Sequence, residues 1–217
     1  MSRACALALL LSSLASFGVF APGAAQAAVL PDDRVDILYH RYEGDDITID
    51  GPSFLVRKTV GKNFSLNANY YVDMVSSASI DVRTTASPYE EERTQYSVGG
   101  TYLHGKTIMN LAYTNSTEND FDANSIYFGI SQDMFGDLTT ISLSYGLGWD
   151  TVGRRGDENF EEPVDRQNYG VGITQILTRS FLMSLNFETI TDEGYLNNPY
   201  RTYRYLLPGG ADDAFAE

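Results

Sequence analysis

Residues 139–149 read TTISLSYGLGW, and this stretch is the strongest indication of the fold class. Side chains of an extended strand point alternately to its two faces. One face here is apolar: Ile141, Leu143, Tyr145, Leu147 and Trp149. The other face is small and polar: Ser142, Ser144, Gly146 and Gly148. A soluble sheet would normally present longer charged side chains to water, whereas small polar residues opposite an apolar face are typical of a barrel with a crowded or hydrated interior and a lipid-facing outside.

The same alternation recurs along the chain. In residues 64–74 the polar side carries Ser65, Asn67, Asn69 and Asp73, and in residues 181–188 it carries Ser184, Asn186 and Glu188. A third copy lies at residues 168–174, and shorter versions lie at 34–42, 47–60, 95–104, 107–114 and 124–132. Pro52 predicts a bulge or an interruption in the second of the nine segments. The pattern predicts an all-β fold, an antiparallel transmembrane β-barrel of about nine strands.

The first residues predict export. Arg3 is the only charge before an apolar stretch at residues 4–20, and Ala25, Gln26 and Ala27 form a small-residue cleavage site. This pattern is typical of a secretory signal peptide at residues 1–27, whose removal would leave a mature chain that begins near Ala28. The single cysteine, Cys5, lies inside this signal. Disulfides, thiol catalysis and cysteine-ligated metals are therefore excluded for the mature chain.

The composition of the chain limits the classes of partner that it is expected to bind. The chain has 15 basic and 29 acidic residues, so removal of Arg3 leaves 14 minus 29, a formal charge of -15. That sign argues against nucleic acid, whose phosphates require a basic surface. Tyrosine is abundant, with 15 Tyr against 11 Phe and 1 Trp. A side chain with an apolar ring and a polar tip suits membrane interfaces.

The connections sort by length and charge. Tight turns are predicted at residues 61–63, 105–106, 134–137 and 177–180, and long acidic loops at 76–94, 115–122 and 151–165. A chain that starts in the periplasm would place the acidic loops outside the cell. Two aromatic girdles are then predicted. The turn-end girdle comprises Phe64, Tyr102 and Phe181, and the loop-end girdle comprises Tyr96, Tyr113, Trp149 and Tyr169.

The strand count predicts an incomplete barrel. Bacterial single-chain barrels use an even number of strands, and a ninth strand ends on the outside. We therefore expect residues 28–207 to form the N-terminal part of a barrel, and residues 208–217 to be a polar tail within an extracellular loop. A soluble nine-strand barrel is the rival fold, and it would place Ile141, Leu143 and Leu147 inside.

Several segments resemble an uncharacterised Gram-negative family, domain of unknown function 3570. They are LYHRY at 38–42, GPSFLVRK at 51–58, NYYVD at 69–73, SSASIDV at 76–82, YLHGKT at 102–107, GISQD at 129–133 and the run at 192–201. The resemblance implies an outer-membrane barrel about twice the mature length, with further strands beyond this chain. The family has no established activity. Members of the family tend to be encoded near genes for flavin-attaching and thioredoxin-like proteins. The resemblance therefore also implies a link to envelope electron transfer.

Two groups of residues have a composition that could form a chemical site. Asp120, Asp122 and Asn124 follow the opening spacing of a calcium loop, but Ser125 and Ser131 stand where the glycine and closing glutamate belong. A solvated acidic loop is favoured, and the weaker hypothesis is loosely bound Ca²⁺ or Mg²⁺ that bridges loop carboxylates to lipopolysaccharide. No other metal or cofactor is predicted.

The histidines favour a structural role over catalysis. His40 and His104 are expected at opposite membrane faces, which argues against a joint metal site or catalytic pair. An outer-membrane hydrolase would need a base near the outer rim, and His40 with Asp36 or Glu43 is the nearby candidate. Such neighbours arise easily by chance, so the chain is predicted not to be an enzyme.

The sequence predicts an outer-membrane protein of a Gram-negative bacterium, channel-like or structural. The alternative is a non-channel envelope protein that binds partners or loop ligands. The expected partners are outer-membrane lipid, lipopolysaccharide and the barrel-assembly machinery. The residues predicted to face the lumen are Asn67, Asn69, Asp73, Ser142, Ser144, Asn186 and Glu188. They would line a cation-favouring pore or hydrogen-bond one another in a plugged interior.

Overall fold

The computed structural model of the chain describes residues 28–44, 47–77, 89–154, 157–197, 199, 203–206 and 213–216. Nine strands form one antiparallel sheet in sequence order, β1 to β9. Their bounds are Arg34–Glu43, Ile47–Val60, Phe64–Ser77, Tyr89–His104, Thr107–Thr117, Phe121–Met134, Thr139–Arg154, Asp157–Thr178 and Phe181–Gly194. The predicted all-β class and the nine alternating strands are confirmed. The predicted signal peptide at 1–27 lies outside the described residues.

A short hairpin, which was not predicted, lies beyond the sheet. Its strands, β10 (Tyr203–Leu206) and β11 (Asp213–Ala216), pair with each other. Each has only 4 residues, too few to show a pattern of alternation in the sequence.

The nine-strand sheet is open in the described part of the chain, with β1 and β9 as its two edges. Every neighbouring pair is antiparallel, so β1 and β9 run in the same direction. Direct closure of these nine strands would require a parallel pair, which departs from the wholly antiparallel pattern of such barrels. Closure into a barrel therefore stays a prediction.

The two faces of the sheet are buried in the reverse of the usual order. We call them the apolar face, which carries Leu143 and Val171, and the polar face, which carries Ser65 and Asp150. Leu143 and Val171 are 50% and 51% exposed, whereas Ser65 and Asp150 are only 1% and 4% exposed. Among the described residues, the sheet's larger contacts are all between neighbouring strands, and no second layer covers either face. The greater burial of the polar face therefore indicates that the sheet curves toward it.

This arrangement differs from that expected for the soluble rival fold. Leu143 and Leu147 lie on the apolar face and are 50% and 36% exposed. A soluble barrel would bury them, because large aliphatic side chains dominate a water-excluded core.

The long acidic loops are shorter than predicted because the strands continue into them. β5 runs to Thr117 and β6 begins at Phe121, so the connection predicted at 115–122 is a tight turn. β7 and β8 likewise pair beyond the predicted loop boundary, as in Val152 opposite Glu162. The alternation disappears there because both faces of an extended hairpin are polar, but the ladder still pairs backbone groups. The tight turns at 61–63 and 105–106 are observed, and Gly61 and Gly105 adopt positive φ angles of 71° and 60°.

Pro52 interrupts pairing but causes no bulge. β2 pairs with β3 up to Asp50 opposite Met74 and resumes at Ser53 opposite Tyr71, with the register unchanged. Gly51 and Pro52 remain paired with β1, opposite His40 and Tyr39. The proline lacks an N–H group, so it can leave one side of the ladder unpaired without displacing the strand.

Candidate functional site

The polar face is the first candidate site, and it collects the residues predicted to face the lumen. Cross-strand register places Asn67, Asn69 and Asp73 of β3 on this face. The same register places Ser142, Ser144, Asn186 and Glu188 there through β7, β8 and β9. Asn168 Nδ2 donates to Glu188 Oε1 at 2.5 Å. The face is thus lined with amides, hydroxyls and carboxylates that bond across strands; whether it encloses a lumen stays a prediction.

A cluster of side chains around His40 spans three strands of the polar face, β1 to β3. His40 Nε2 lies 2.8 Å from Asp73 Oδ1 and 3.2 Å from the Tyr71 hydroxyl. The His40 and Tyr71 rings are stacked, with centroids 4.8 Å apart and planes at 4°. Gly51 lies between them on β2, and a Cβ at that position would be 1.9 Å from Val72 O. The missing side chain lets the imidazole lie across β2 and reach Asp73.

The sequence predicts Asp36 or Glu43 as the partner of His40 in a hydrolase site. Both partners are wrong. Asp36 instead forms an ion pair with Arg34, and Glu43 lies 3.5 Å from Arg41 Nη2. The carboxylate that contacts His40 comes from two strands away, so only the register of the sheet identifies it. His104 lies at the opposite end, beside the β4–β5 turn, as expected.

An arginine whose side chain is 11% exposed connects the neighbouring strands. Arg93 stands opposite Asp73 in the β3–β4 register. Its Nε donates to Ser116 Oγ at 2.9 Å and its Nη2 to Gln95 Oε1 at 2.8 Å. Glu118 Oε1 lies 3.7 Å from the same Nε. A guanidinium has five N–H donors, so one side chain can crosslink β4 and β5 in this way.

A second ion pair lies on the polar face just beyond Trp149. Arg166 Nη2 pairs with Asp150, whose side chain is 1% exposed. Burial raises the pKa of the Asp150 carboxyl, although the Arg166 guanidinium acts in the opposite direction. Two charges removed from water together depend on each other, so loss of either partner would be costly.

The aromatic residues predicted as girdles all lie on the apolar face, with Phe181 at the turn end of β9. Phe64 and Tyr102 are directly opposite each other, with ring centroids 4.5 Å apart. At the loop end, the Tyr113 ring lies 6.4 Å from both the Tyr96 and Trp149 rings. Tyr169 packs against Tyr145 at 5.1 Å. The structure therefore forms two aromatic groups at opposite ends, while their contact with a membrane stays a prediction.

The proposed calcium-loop residues are divided by the structure. Asp120 lies in the β5–β6 turn, where its carbonyl accepts a hydrogen bond from Gly153 N at 2.7 Å. Asp122 and Asn124 lie in β6, and Asn124 Nδ2 donates to Asp122 Oδ1 at 2.7 Å. Among the described residues there is no group of three His, Cys, Asp or Glu side chains that could hold a metal ion.

Asp122 and Asn124 belong instead to a polar network that sequence reasoning missed. Asn115 Nδ2 and the Tyr113 hydroxyl both donate to Asn124 Oδ1, at 3.0 and 2.7 Å. Thr117 Oγ1 donates to Asp122 Oδ2 at 2.9 Å. The network stands on the apolar face between Tyr96 and Trp149. The available signal was two asparagines that interrupt the apolar alternation near the strand ends.

Comparison with known proteins gives a family and nothing more specific. A family model described as "Protein of unknown function (DUF3570)" matches residues 79–210. The resembling segments at 38–42, 51–58 and 69–73 lie before this range. No curated protein and no solved structure matches the chain. Within the part of the chain that the structure describes, no helix is long and apolar enough to cross a membrane.

Proposed function

The chain belongs to the DUF3570 family, and we propose that it is an outer-membrane β-barrel protein of a Gram-negative bacterium, with its polar face toward a channel-like interior. The observation that carries this proposal is the reversed burial of the two faces. Leu66, Val98 and Leu111 are each more than half exposed, at 52%, 53% and 57%, and they lie in two adjacent cross-strand rows of the apolar face across β3, β4 and β5. Contact of such an extensive apolar surface with lipid is favourable in free energy, whereas its exposure to water is unfavourable.

The polar face supports the same orientation. Serine, glycine and asparagine are frequent on it between β6 and β9, and its Arg166 is paired with Asp150. Such a face can line a hydrated interior because polar groups of this kind can bond to one another or to water. In this proposal the closed barrel pairs the free edges of β1 and β9 with further strands.

The test is whether the mature chain requires a membrane. We expect the secreted protein to fractionate with the outer membrane, to need detergent for extraction, and to migrate differently on gels before and after heating. Brominated phospholipids should quench Trp149, the single tryptophan. A chain that stays soluble and folded without detergent after signal removal would overturn the proposal.

A plugged interior, without an open pore, is the second candidate, and the cross-strand bonds on the polar face favour it. Arg93, Asn168 and Thr101 each bond a side chain on a neighbouring strand, at 2.9, 2.5 and 2.8 Å. In this case the protein is a non-channel envelope component that binds partners through its extended hairpins. Planar-bilayer recordings separate the two, because an open pore gives discrete conductance steps and a plugged interior gives none.

We infer no catalytic activity for this chain. His40 is the histidine with a carboxylate partner, and its Nε2 already faces both Asp73 and the Tyr71 hydroxyl. A hydrolytic base would instead need that nitrogen beside a nucleophile. The proposed partners are outer-membrane lipid, lipopolysaccharide and the barrel-assembly machinery.

A further inference from the structure

We propose that the loop-end aromatic and amide residues on the apolar face form a binding site for the sugar rings of an outer-leaflet glycolipid. Four residues stand in one cross-strand row: Tyr96, Asn115, Asn124 and Trp149. Tyr96 and Trp149 are therefore the outer members, and the two amides lie between them. This inference rests on the proposed outer-membrane location.

The chemistry of this row suits a sugar. The Tyr96 and Trp149 rings are 45% and 39% exposed, so each offers an apolar surface on which the C–H face of a sugar can pack. Asparagine supplies both donors and acceptors, which is what a hydroxyl-rich ligand requires. A few fixed polar groups among aromatic surfaces are the usual composition of a small-molecule site.

The amides are held in fixed positions before any ligand binds. Asn124 accepts from Tyr113 at 2.7 Å and from Asn115 at 3.0 Å, and donates to Asp122 at 2.7 Å. Asn115 is only 9% exposed. A primary amide offers two donors and an acceptor with two lone pairs, so Asn124 Nδ2 retains a second N–H for a hydroxyl. Preorganisation of this kind lowers the entropic cost of binding.

The position of the row matches the depth of glycolipid sugars. The next apolar-face row toward the turn end is Val98, Tyr113, Ile126 and Leu147, which is mainly hydrocarbon. The next row toward the loops is Thr94, Thr117, Asp122 and Thr151, which is polar. The site thus lies at the boundary where aromatic side chains meet head groups.

Charge selects the sugar and not the phosphate of the head group. Asp122 is the charged member of the network, and a carboxylate repels a phosphate at short range. Its oxygens accept from Asn124 and Thr117 and can also accept from sugar hydroxyls. This mode needs no divalent cation, which separates it from a cation bridge between acidic loops and phosphate.

Trp149 reports directly on the site because it is the single tryptophan. The full-length protein would be folded in phosphatidylcholine vesicles with and without purified lipopolysaccharide, and acrylamide quenching of Trp149 emission would be measured. We expect lipopolysaccharide to reduce quenching several-fold, equally with and without EDTA. Loss of the effect in EDTA would indicate a cation bridge and overturn the proposal, as would no effect of lipopolysaccharide.

Variants separate a specific site from general membrane contact. Asn124→Leu should weaken the lipopolysaccharide response about tenfold, as expected for loss of about one hydrogen bond. Asn110→Leu is the matched control, because Asn110 is a hydrogen-bonded asparagine on the polar face, and its response should equal that of wild type. Tyr96→Leu leaves the amide network in place and should also weaken the response. Equal responses in Asn124→Leu, Tyr96→Leu and wild type would overturn the site, whereas absence of quenching by brominated lipid would overturn the membrane location itself.

Discussion

Leu143→Arg is the substitution that most directly tests the orientation of the sheet. Leu143 is six residues before Trp149 on β7, about 20 Å along the strand at about 3.3 Å per residue. With a strand tilt of about 40°, that is about 15 Å along the membrane normal, close to the middle of an apolar band about 25 Å tall. Arginine at the midplane lowers the free energy of unfolding by about 2–4 kcal/mol.

A sheet in water gives a different result. Leu143 is already 50% exposed, and an exposed substitution away from special features normally changes stability by less than about 0.5 kcal/mol. The two environments therefore predict effects that differ several-fold for one substitution. Urea unfolding of the protein in phospholipid vesicles measures the difference, and intrinsic fluorescence of Trp149 gives the signal.

Two controls isolate depth and face. Leu177→Arg makes the same change near the β8–β9 turn, where we expect a loss of about 0–1 kcal/mol. Asn69→Arg places the charge on the polar face and should cost less than Leu143→Arg. If Leu143→Arg unfolds within about 0.5 kcal/mol of wild type, the reasoning that places the apolar face against lipid is refuted.

Three further predictions concern the polar face and the turn end. Gly51→Ala should lower the free energy of unfolding by about 1–3 kcal/mol, because its Cβ would lie 1.9 Å from Val72 O. Gly100→Ala should be nearly neutral in the same unfolding assay, because its Cβ would lie 3.4 Å from Leu66 Cδ2 and 3.9 Å from Ser65 O. Arg166→Met should lower the free energy of unfolding by about 3–5 kcal/mol, because it leaves Asp150 buried without its cation. The double variant Asp150→Asn with Arg166→Met should recover most of this loss. Equal losses in the single and double variants would contradict the pairing. The Lys58 ammonium, with help from Thr59, lowers the pKa of Asp33 to about 2. Because this folded pKa lies below the unfolded value of about 3.9, the interaction stabilises the fold above about pH 4 and is lost as the pH falls toward 2. Carboxyl NMR titration should show the Asp33 pKa rise toward its ordinary value in Lys58→Met, and an unchanged pKa would show that Lys58 is not its cause.

The outcome of the strand prediction shows where alternation is informative. The boundaries at Phe64, Thr107, Thr139 and Phe181 coincide with those of the structure, because each follows a tight turn where the apolar alternation begins abruptly. The opposite strand ends were placed too early. Thr117 and Arg154 end β5 and β7 several residues beyond the last apolar side chains of the apolar face, Tyr113 and Trp149, since backbone hydrogen bonds continue after side-chain alternation stops.

The contacts between side chains were less accessible to sequence reasoning. His40 was paired with acidic residues close to it in sequence, but its partner Asp73 lies across two strands. The sequence does not show that Asn115 and Asn124 are neighbours, whereas the register of β5 and β6 places them directly opposite each other. Each of these contacts depends on how two strands are aligned, and alternation within one strand contains no information on its offset from the next.

The sequence by itself determined which residues share a face, because the side-chain period of a strand is a local property of the backbone. From residues 139–149 and their repeats it also determined that one face is apolar and the other small and polar. Only the tertiary structure decided which face is more buried, since that depends on the direction in which the whole sheet curves. It also decided which polar groups meet, because register is set by turns and by contacts across neighbouring strands.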